Sequence, residues 1–354
     1  MEDFNFRSEY DNLLTPETVS LLTYIHECRG QQAHFVKTRS EALAEFTETA
    51  RMQSVDASNR VEGIVTTEER LKRIALGKVS PRTRSEREIT GYRDAFSAVR
   101  ENHEHIAPIP SAIQPLHRAL YRFSPRQIGG RYRAADKFVP EELSYREVTR
   151  SYPASAELPG LMDELCGSFG EALGDASLDP LLLTPLFILR FLSLCPFEDG
   201  NARLSRLLTL LLLRRSGHLV VEHVSVEKLI LERRDDYFTA LGSGLSVADG
   251  KKSDPMPFTE YTLEIVAAAY REFQERIDLL AAKGFSKPER VREIIRESSG
   301  RITKSEIREK CLDISQVTVQ RTLVELLQSG EITKINGGRY TSYVWNGDKK
   351  PDDE

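Results

Sequence analysis

Two strongly apolar helical segments, separated by a short polar loop, constrain the fold of this chain more than any other feature. The first covers residues 180–194 and the second residues 201–216, and leucine dominates both. The loop between them contains Pro196 and Gly200, which are residues that interrupt helices. Apolar positions at helical spacing in the second segment predict that it is anchored in the core of a helical domain.

The rest of the chain is also almost entirely helical in its pattern. Thr15 is a candidate cap for a long helical stretch over residues 15–50, with Pro16 in its first turn. A second helix is predicted over about 50–62, and Thr67 opens a short third one. Further helices are predicted at 85–101, 111–121, 157–173, 180–194, 201–216, 225–242 and 256–283. Residues 131–155 lack helical periodicity and are predicted to form a loop with a short hairpin.

Composition and length exclude several classes of protein. The chain has 354 residues, enough for two or three domains, and its net charge of -5 disfavours nucleic-acid binding by bulk charge. Four scattered cysteines, Cys28, Cys166, Cys195 and Cys311, have neither the density of a disulfide framework nor zinc-ligand spacing. The polar N-terminus is unlike a signal peptide, and the most apolar stretch is shorter than the ~20 residues of a membrane helix. A cytoplasmic protein without a membrane partner is therefore predicted.

A change in composition at residues 283–288, which read KGFSKP, predicts a domain boundary. Three helices are predicted after it, at 288–298, 303–311 and 315–328. Two strands, at 331–335 and 339–345, then flank the turn sequence NGG. Three helices and a hairpin are the pattern of a winged helix. The predicted domains are an N-terminal helical region at 1–100, a core at 101–283, a winged helix at 284–346 and a disordered tail at 347–354.

The loop and the second apolar helix together predict an anion-binding site. The helix begins near Asn201, so the backbone N–H groups of Gly200, Asn201 and Ala202 lie at its positively polarised N-terminus, which suits a phosphate. Arg203 and Arg206 are three residues apart and can reach the same anion.

Asp199 stands just before this helix, where its carboxylate could hold a Mg²⁺ ion that bridges phosphates. The alternative is that Asp199 and the two arginines, Arg203 and Arg206, form ion pairs on a helix surface. The concentration of Pro, Gly, Asn and paired Arg residues between two apolar helices favours the binding site.

The segment CPFEDGNARLSR resembles the signature loop of the Fic family, H-x-F-x-D/E-G-N-x-R-x-x-R. Members of that family usually transfer AMP from ATP to a protein hydroxyl. The matching positions are Phe197, Asp199, Gly200, Asn201, Arg203 and Arg206. Two positions depart from the pattern, because Cys195 replaces the catalytic histidine and Ala202 replaces the usual second glycine.

The resemblance continues outside the loop. Residues 130–133 are similar to the family's G-x-Y-R segment, which leads into a flap, placed loosely within 137–155, that aligns the target chain. Residues 88–96 resemble the helix before the core, and residues 225–241 resemble the segment after it, in which Tyr237 would line the adenine pocket. The resemblance implies an all-α, Fic-type core with a short β-hairpin flap, followed by a C-terminal winged helix. It also implies ATP and Mg²⁺ as cofactors and an unknown protein as target.

A second segment, with Ser58, Glu62 and Gly63, resembles the family's inhibitory helix, [S/T]-x-x-x-E-[G/N]. Ser58 and Glu62 share one helix face, and the resemblance implies that the Glu62 carboxylate pairs with Arg206, which would otherwise hold the γ-phosphate of ATP. The alternative is an ordinary helix that ends in Glu-Gly with Ser58 pointing outward. Taken with the signature loop, the segment favours the inhibitory function.

Cys195 affects the mechanism that the resemblance implies. In the family, the histidine accepts the proton of the target hydroxyl, whereas a cysteine with an ordinary pKa of about 8.5 is mostly protonated at pH 7. Its sulfur also lies closer to the backbone. Cys195 can therefore represent an engineered substitution, a natural loss of activity, or a thiolate with altered chemistry. None of the seven histidines is an obvious replacement, and all are treated as structural or exposed.

Two functions follow as hypotheses. The first is an autoinhibited Fic-type AMP transferase that is impaired at Cys195. The second is a non-catalytic, nucleotide-sensing regulator that acts through its winged helix on DNA or on a protein partner. The exposed face of that domain, with Gln316, Gln320 and Arg321, is only mildly basic, which slightly favours a protein partner. A homodimer is compatible with either hypothesis.

Overall fold

The structure is a computed structural model that describes residues 4–38, 40–136, 152–245, 253–284, 287–296, 298, 300–310, 314–335 and 341–346. Contacts between backbone positions divide the chain into two compact units, Met1–Phe273 and Gln274–Glu354. The sequence predicts a domain boundary slightly later, at residue 284. Most of the predicted flap, the turn of the predicted C-terminal hairpin and the predicted disordered tail lie outside the described residues.

In its described residues, the first unit is built from helices, which include short 3-10 helices at Ser155–Glu157 and Leu219–Glu222. The helices before the predicted core are α1 Phe6–Asp11, α2 Pro16–Thr38, α3 Ser40–Arg60, α4 Glu68–Ala75 and α5 Arg84–Asn102. The next ones are α6 Pro110–Leu120, α7 Leu158–Gly174, α8 Pro180–Leu194, α9 Asn201–Arg215, α10 Val226–Glu232, α11 Arg234–Leu245 and α12 Met256–Gly284, the last of which runs into the second unit. No helix in these described stretches has the length and low polarity that crossing a membrane requires.

Polar side chains form hydrogen bonds that cap the N-termini of several helices. The Thr67 side chain accepts a hydrogen bond from the Arg70 N–H group at the start of α4, and Asp179 accepts one from Leu181 at the start of α8. The Thr15 hydroxyl accepts one from the Thr18 N–H group in the first turn of α2, at 3.2 Å. Each cap pairs a donor that the first turn of a helix leaves unsatisfied.

The centre of the first unit is the pair α8 and α9, which pack against each other. Both helices are buried on nearly every side, as expected for helices that are apolar all round. Helices α7 and α11 pack on α8, and α5 and α6 pack on α9. The loop that joins α8 to α9 is therefore held at both of its ends by core helices.

Two helix predictions need correction. The sequence predicts that one helix ends and another begins near residue 50, but α3 runs through that position without a break, from Ser40 to Arg60. Residue 50 offers neither glycine nor proline to end a helix, and Ala50 is simply buried in the middle of α3. The helix predicted over 225–242 is divided at Arg233, whose guanidinium pairs with Glu264 on α12 at 2.8 Å.

In its described residues, the second unit contains the end of α12, three further helices and a small sheet. Its helices are α13 Lys287–Arg296, α14 Lys304–Lys310 and α15 Gln316–Gln328, and its strands are β1 Ile302–Thr303, β2 Ile332–Ile335 and β3 Ser342–Trp345. The strands are antiparallel in the order β1-β3-β2, with Ile302 opposite Tyr343 and Ile332 opposite Trp345. The two-residue strand β1 is absent from the sequence prediction because it is too short to show an alternating pattern. Val291, Val319 and Leu323 are among the residues of the unit's core.

Candidate functional site

The loop between α8 and α9 begins at a strained residue. Cys195 has φ +45°, and it is the one non-glycine residue with a positive φ in the part of the chain that the structure describes. Its N–H group donates to the Phe191 carbonyl at 3.2 Å, which ends α8, and its side chain is buried. A left-handed backbone at a residue with a side chain costs about 1–3 kcal/mol and occurs mainly at functional sites.

Asn201 closes the loop from its other end. Its Oδ1 accepts a hydrogen bond from the Phe197 N–H group at 3.0 Å, and its Nδ2 donates to the Phe197 carbonyl at 2.8 Å. The Asn201 side chain is buried, so both bonds form away from water. The amide therefore acts as a clamp that fixes the path of the loop between Phe197 and the first turn of α9.

His117, on α6, packs against the same loop and forms a hydrogen bond with it. Its ring stacks on Phe197 with centroids 3.9 Å apart. Its Nδ1 accepts a hydrogen bond from the Gly130 N–H group at 2.9 Å, so its Nε2–H donates to the Asp199 carbonyl, also at 2.9 Å. Burial lowers the pKa of His117 to about 4, which keeps the ring neutral with its proton on Nε2.

Gly200 is required at the start of α9 by its backbone and by its surroundings. Its φ is +79°, and a Cβ atom there would lie 2.9 Å from the Tyr121 hydroxyl.

We expect Gly200→Ala to lower the free energy of unfolding by about 2 kcal/mol or more, measured by urea denaturation. Gly170→Ala in α7 is the matched control, because a Cβ there meets no atom within 4 Å and should stabilise the helix by about 0.5–1 kcal/mol. Equal effects of the two substitutions would contradict this prediction.

Arg203 lies fully buried at the first turn of α9 and is surrounded by oxygen atoms. Its Nε is 3.1 Å from a Glu62 carboxylate oxygen, and its Nη1 is 2.9 Å from Glu88 on α5. Its Nη2 donates to the Tyr121 hydroxyl at 3.0 Å and is 3.8 Å from Asp199. Three acidic side chains thus converge on one buried guanidinium.

Arg206, one turn further along α9, contacts the same carboxylate. Its Nε donates to the Ser58 hydroxyl and its Nη2 to the Ser58 carbonyl, both at 2.8 Å. Its Nη2 also forms a short ion pair with Glu62. Glu62 therefore bridges Arg203 and Arg206, with one oxygen on each guanidinium, and all three side chains are nearly inaccessible to solvent. Because both arginines share one anion, this point is the strongest anion-binding position of the site.

The turn that follows α3 holds Glu62 in place. The Ile64 N–H group donates to the Asn59 carbonyl at 3.0 Å, and Gly63 adopts φ +75°, as is common just after a helix end. Arg234 on α11 donates to the Val61 carbonyl at 2.8 Å. The turn after α3 and the Arg234 side chain on α11 therefore hold the segment that carries Glu62.

A buried acidic residue, Glu227 on α10, lies behind the end of α3. One of its oxygens accepts from the Ser54 hydroxyl at 2.7 Å, and the other accepts from the Tyr92 hydroxyl at 3.2 Å. Burial raises the pKa of Glu227 despite these hydrogen bonds. This polar layer links α3, α5 and α10, and it fixes the helix that carries Ser58.

Arg133 joins Cys195 to the segment that leads into the predicted flap. Its Nε donates to the Cys195 carbonyl at 3.0 Å, and its two Nη groups donate to the carbonyls of Ala135 and Pro153. Its own N–H group donates to the Pro196 carbonyl at 2.9 Å. One buried arginine thus forms hydrogen bonds with the chain before and after residues 137–151 and with the first residue of the loop.

Asp199, the predicted magnesium ligand, takes part in ion pairs. Its Oδ2 is 2.8 Å from Arg126, which also contacts Glu198 at 2.7 Å, and its Oδ1 faces Arg203. Its carboxylate is 11% exposed, so it lies at the boundary of the buried cluster. No group of three potential metal-ligating His, Cys, Asp or Glu residues occurs among the residues that the structure describes.

Tyr237 and Arg206 line the same small cavity. Tyr237 is buried against Phe258 and Tyr261, and the three rings border this cavity of about 20 Å³. That volume holds about one water molecule. A purine base needs more room, so the ring cluster would have to open for a nucleotide base to enter here.

The buried histidines predict how stability depends on pH. Burial lowers the pKa values of His117 and His223 to about 4 and of His218 to about 3, below the ordinary 6.5. Unfolding therefore takes up protons between pH 6.5 and 4, so the free energy of unfolding falls as the pH falls through that window. We expect a loss of about 3 kcal/mol between pH 6 and pH 5, measured by urea denaturation.

His223→Gln is the variant that checks this assignment. It removes one of the three titrating groups, so the slope of stability against pH should fall by about a third. A slope that is unchanged in the variant, or a protein equally stable at pH 7 and pH 5, would contradict the assignment.

The site unites residues that are distant in sequence. Ser58, Glu62, Arg203 and Arg206 are in direct contact, Tyr237 lines a cavity together with Arg206, and Gly200, Asn201 and Ala202 form the start of α9. Several residues that support these contacts were not predicted as site residues from the sequence, namely Glu88, His117, Tyr121, Arg126 and Arg133. Glu88 and Arg133 stand in segments that resemble a known family, whereas Tyr121 and Arg126 carry no recognisable signal.

Comparison with known proteins gives one family and several similar folds. Residues 108–213, which include α6 to α9 and the loop, match the model of the Fic/DOC family. No curated protein matches the chain. A Fic family protein from Desulfovibrio desulfuricans G20 is 22% identical with a TM-score of 0.59, and the similarity covers 95% of this chain and 98% of that one.

Two further structures share the fold over about three quarters of this chain. One is a Fic domain containing signaling protein from Bacteroides thetaiotaomicron VPI-5482, with 20% identity and a TM-score of 0.56 over 72% of this chain and 95% of that one. The other is Fic-1 from C. elegans, with 22% identity and a TM-score of 0.57 over 74% and 73%. At these identities the likeness supports the predicted all-α fold.

Proposed function

Because the chain belongs to the Fic/DOC family, we propose that it transfers AMP from ATP to a hydroxyl group of a protein, and that Glu62 inhibits this transfer. The observation that carries the proposal is the Glu62 carboxylate, which is held between the guanidinium groups of Arg203 and Arg206 at the first turn of α9. A site that binds a carboxylate in this way suits a phosphate, which has the same charge sign and accepts the same hydrogen bonds.

The phosphates of ATP would bind where Glu62 now lies. Arg203 and Arg206 supply two planar donor groups, and the N-terminus of α9 adds its partial positive charge. Glu88 keeps Arg203 oriented from behind, and Ser58 does the same for Arg206. Binding the triphosphate therefore requires that Glu62 leave, but it does not require the two arginines to be rebuilt.

Asp199 is the residue that would hold a magnesium ion beside those phosphates. Magnesium in nucleotide sites is commonly bound by one or two carboxylates together with the phosphate oxygens, and Asp199 lies one residue before the turn that begins α9. A magnesium ion bound there would replace Arg126 as the partner of this carboxylate. The ion would offset the negative charge that develops on the phosphates.

The reaction joins the target's hydroxyl oxygen to the α-phosphorus and breaks the bond to the β-phosphate, so pyrophosphate leaves. The hydroxyl proton must pass to a base, and Cys195 occupies the base position in the family's sequence pattern. Its carbonyl and its backbone are fixed by Arg133 and by the end of α8, so the residue is well positioned. A thiol is a weak base at pH 7, and the buried Cys195 side chain reaches less far than an imidazole. We propose that the wild-type chain transfers AMP slowly for this reason.

The direct test follows the label of radioactive ATP into protein. Label from α-labelled ATP should appear in the protein itself or in lysate proteins, whereas label from γ-labelled ATP should not. Transfer of the γ-label would indicate phosphoryl transfer. If neither label appears in any protein with the variant Glu62→Gly/Cys195→His, the proposed reaction is rejected.

A second candidate function is favoured by the same cysteine. If Cys195 does not support AMP transfer, the site can still bind nucleotide. The chain can then act as a regulator through its winged-helix unit. The exposed residues of α15 include Gln316, Gln320 and Arg321 and carry little positive charge, which favours a protein partner over DNA. A change in partner or DNA binding on addition of ATP, without transfer of label, would support the regulator.

A further inference from the structure

An open groove of about 710 Å³ lies beside the loop, between the C-terminal half of α6 and the segment that follows it. Four arginines line it, Arg118, Arg122, Arg126 and Arg131, and all four side chains are exposed. No acidic residue lines the groove among the residues that the structure describes. This volume lies within the usual range of ligand sites, so the groove can accept a segment of several residues.

The arginines of the groove are only partly neutralised. Arg126 pairs with Glu198 and Asp199, and Arg122 lies 3.7 Å from Asp94, which is itself already engaged by Arg93. Arg118 and Arg131 have no carboxylate within ion-pair distance among the described residues. The groove therefore carries an excess of positive charge in a protein whose net charge is -5.

The groove is directly connected to the candidate active site. Tyr121 forms part of its lining, its hydroxyl accepts a hydrogen bond from Arg203, and the Arg203 guanidinium lies over its ring. Arg131 immediately precedes Tyr132, which forms a β-bridge with Phe197, two residues after Cys195. A chain bound in the groove would thus run beside the loop in which the proposed chemistry takes place.

We propose that this arginine-lined groove binds a carboxylate-rich segment of the protein that receives AMP. The identity of the partner rests on the proposed function, whereas the preference for carboxylates rests on the four arginines. A guanidinium matches a carboxylate with two parallel hydrogen bonds, and exposed charges of this kind also speed the encounter with an acidic partner. The groove would hold the target beside the loop while the flap positions its hydroxyl.

An acidic protein segment fits these observations better than a nucleic acid. A protein that follows a phosphate backbone generally carries an extended basic surface, whereas these arginines form one short groove on an acidic chain. Pro115, Ala119 and the Tyr121 ring give the groove an apolar component that side chains of a peptide can cover.

The test uses the full chain and a fluorescein-labelled hexaglutamate peptide, whose binding is measured by fluorescence anisotropy in the absence of ATP. The variant Arg118→Gln/Arg122→Gln/Arg131→Gln removes three charges from the groove. Arg126 is left intact because it holds Asp199 and Glu198. The matched control, Arg7→Gln/Arg73→Gln/Arg321→Gln, removes three exposed charges elsewhere, so the net charge of the two proteins is equal.

We expect the groove variant to bind the peptide about tenfold more weakly than wild type, and the control to stay within about twofold. Equal weakening in both variants, or no binding by wild type, would overturn the proposal. So would tighter, groove-dependent binding of a hexathymidylate oligonucleotide, which would assign the groove to nucleic acid. Because binding is measured without transfer, groove-dependent binding would survive a failure of the proposed reaction, and the two failures can be told apart.

Discussion

A variant that carries both Glu62→Gly and Cys195→His is expected to transfer AMP at least about 100-fold faster than either single variant. Removing Glu62 frees Arg203 and Arg206 for the phosphates of ATP, but leaves a thiol as the base. Restoring the histidine supplies a base of suitable pKa and reach, but leaves the Glu62 carboxylate between the two arginines. The requirements are met together only in the double variant, so the effects should be far from additive.

The matched control is Glu62→Gly with Cys195→Ala, which opens the same site without any base. Ala202→Gly belongs in the series as well, because the Ala202 methyl group lies in the first turn of α9, where it could crowd a phosphate. The assay is incorporation of α-label from ATP into protein. If Glu62→Gly alone already matched the double variant, Cys195 would be a competent base and the account of an impaired enzyme would be wrong.

Glu62→Gln is expected to lower the free energy of unfolding by about 3 kcal/mol in the absence of nucleotide. The carboxylate is nearly inaccessible to solvent and bridges two buried guanidinium groups. Arg203 retains Glu88 and Asp199, but Glu62 is the carboxylate within ion-pair distance of Arg206 in the described part of the chain. Loss of that negative charge therefore leaves the positive charge of Arg206 buried without a counter-charge. The hydrogen bonds from Arg206 to Ser58 compensate this loss only in part.

The measurement is urea denaturation at pH 7, with Glu68→Gln on α4 as the control. Glu68 pairs with Lys72 on the surface, so its replacement should change stability by less than about 0.5 kcal/mol. Saturating ATP with Mg²⁺ should restore much of the loss in Glu62→Gln, since a ligand at 100 times its Kd contributes about 2.7 kcal/mol. Equal stabilities of the two variants would contradict the proposed role of Glu62 as counter-charge.

The sequence predicted the central helices well because their signals are local. The bounds of α8 match the prediction and those of α9 differ by one residue at its end, since Pro180, Asp179 and Gly200 mark the ends of two apolar runs. The helix boundary predicted near residue 50 is wrong, because the sequence there has no strong helix breaker and α3 continues through it. At Arg233, α10 ends and α11 begins within a stretch whose local sequence pattern is continuous, so the sequence did not predict this break.

The candidate site was predictable only where residues belong to a recognisable pattern. The segment with Ser58 and Glu62 resembles the family's inhibitory helix, and that resemblance led to the expectation that Glu62 would pair with Arg206. The side chains of Glu62 and Arg206 are in contact. The second contact, with Arg203, and the support from Glu88 depend on how α3, α5 and α9 pack, which no local pattern encodes. Arg126 stands in an irregular segment, so its pairing with Asp199 could be found only in three dimensions.

Calorimetric titration of Glu62→Gly with ATP and Mg²⁺ tests the central claim most directly, namely that Arg203 and Arg206 form a nucleotide site that Glu62 occupies. Wild type should bind ATP weakly, Glu62→Gly should bind it at least about tenfold more tightly and in preference to GTP, and the further change Arg206→Met should abolish the gain. Failure of Glu62→Gly to bind ATP, in a protein that is folded by circular dichroism, would contradict the claim.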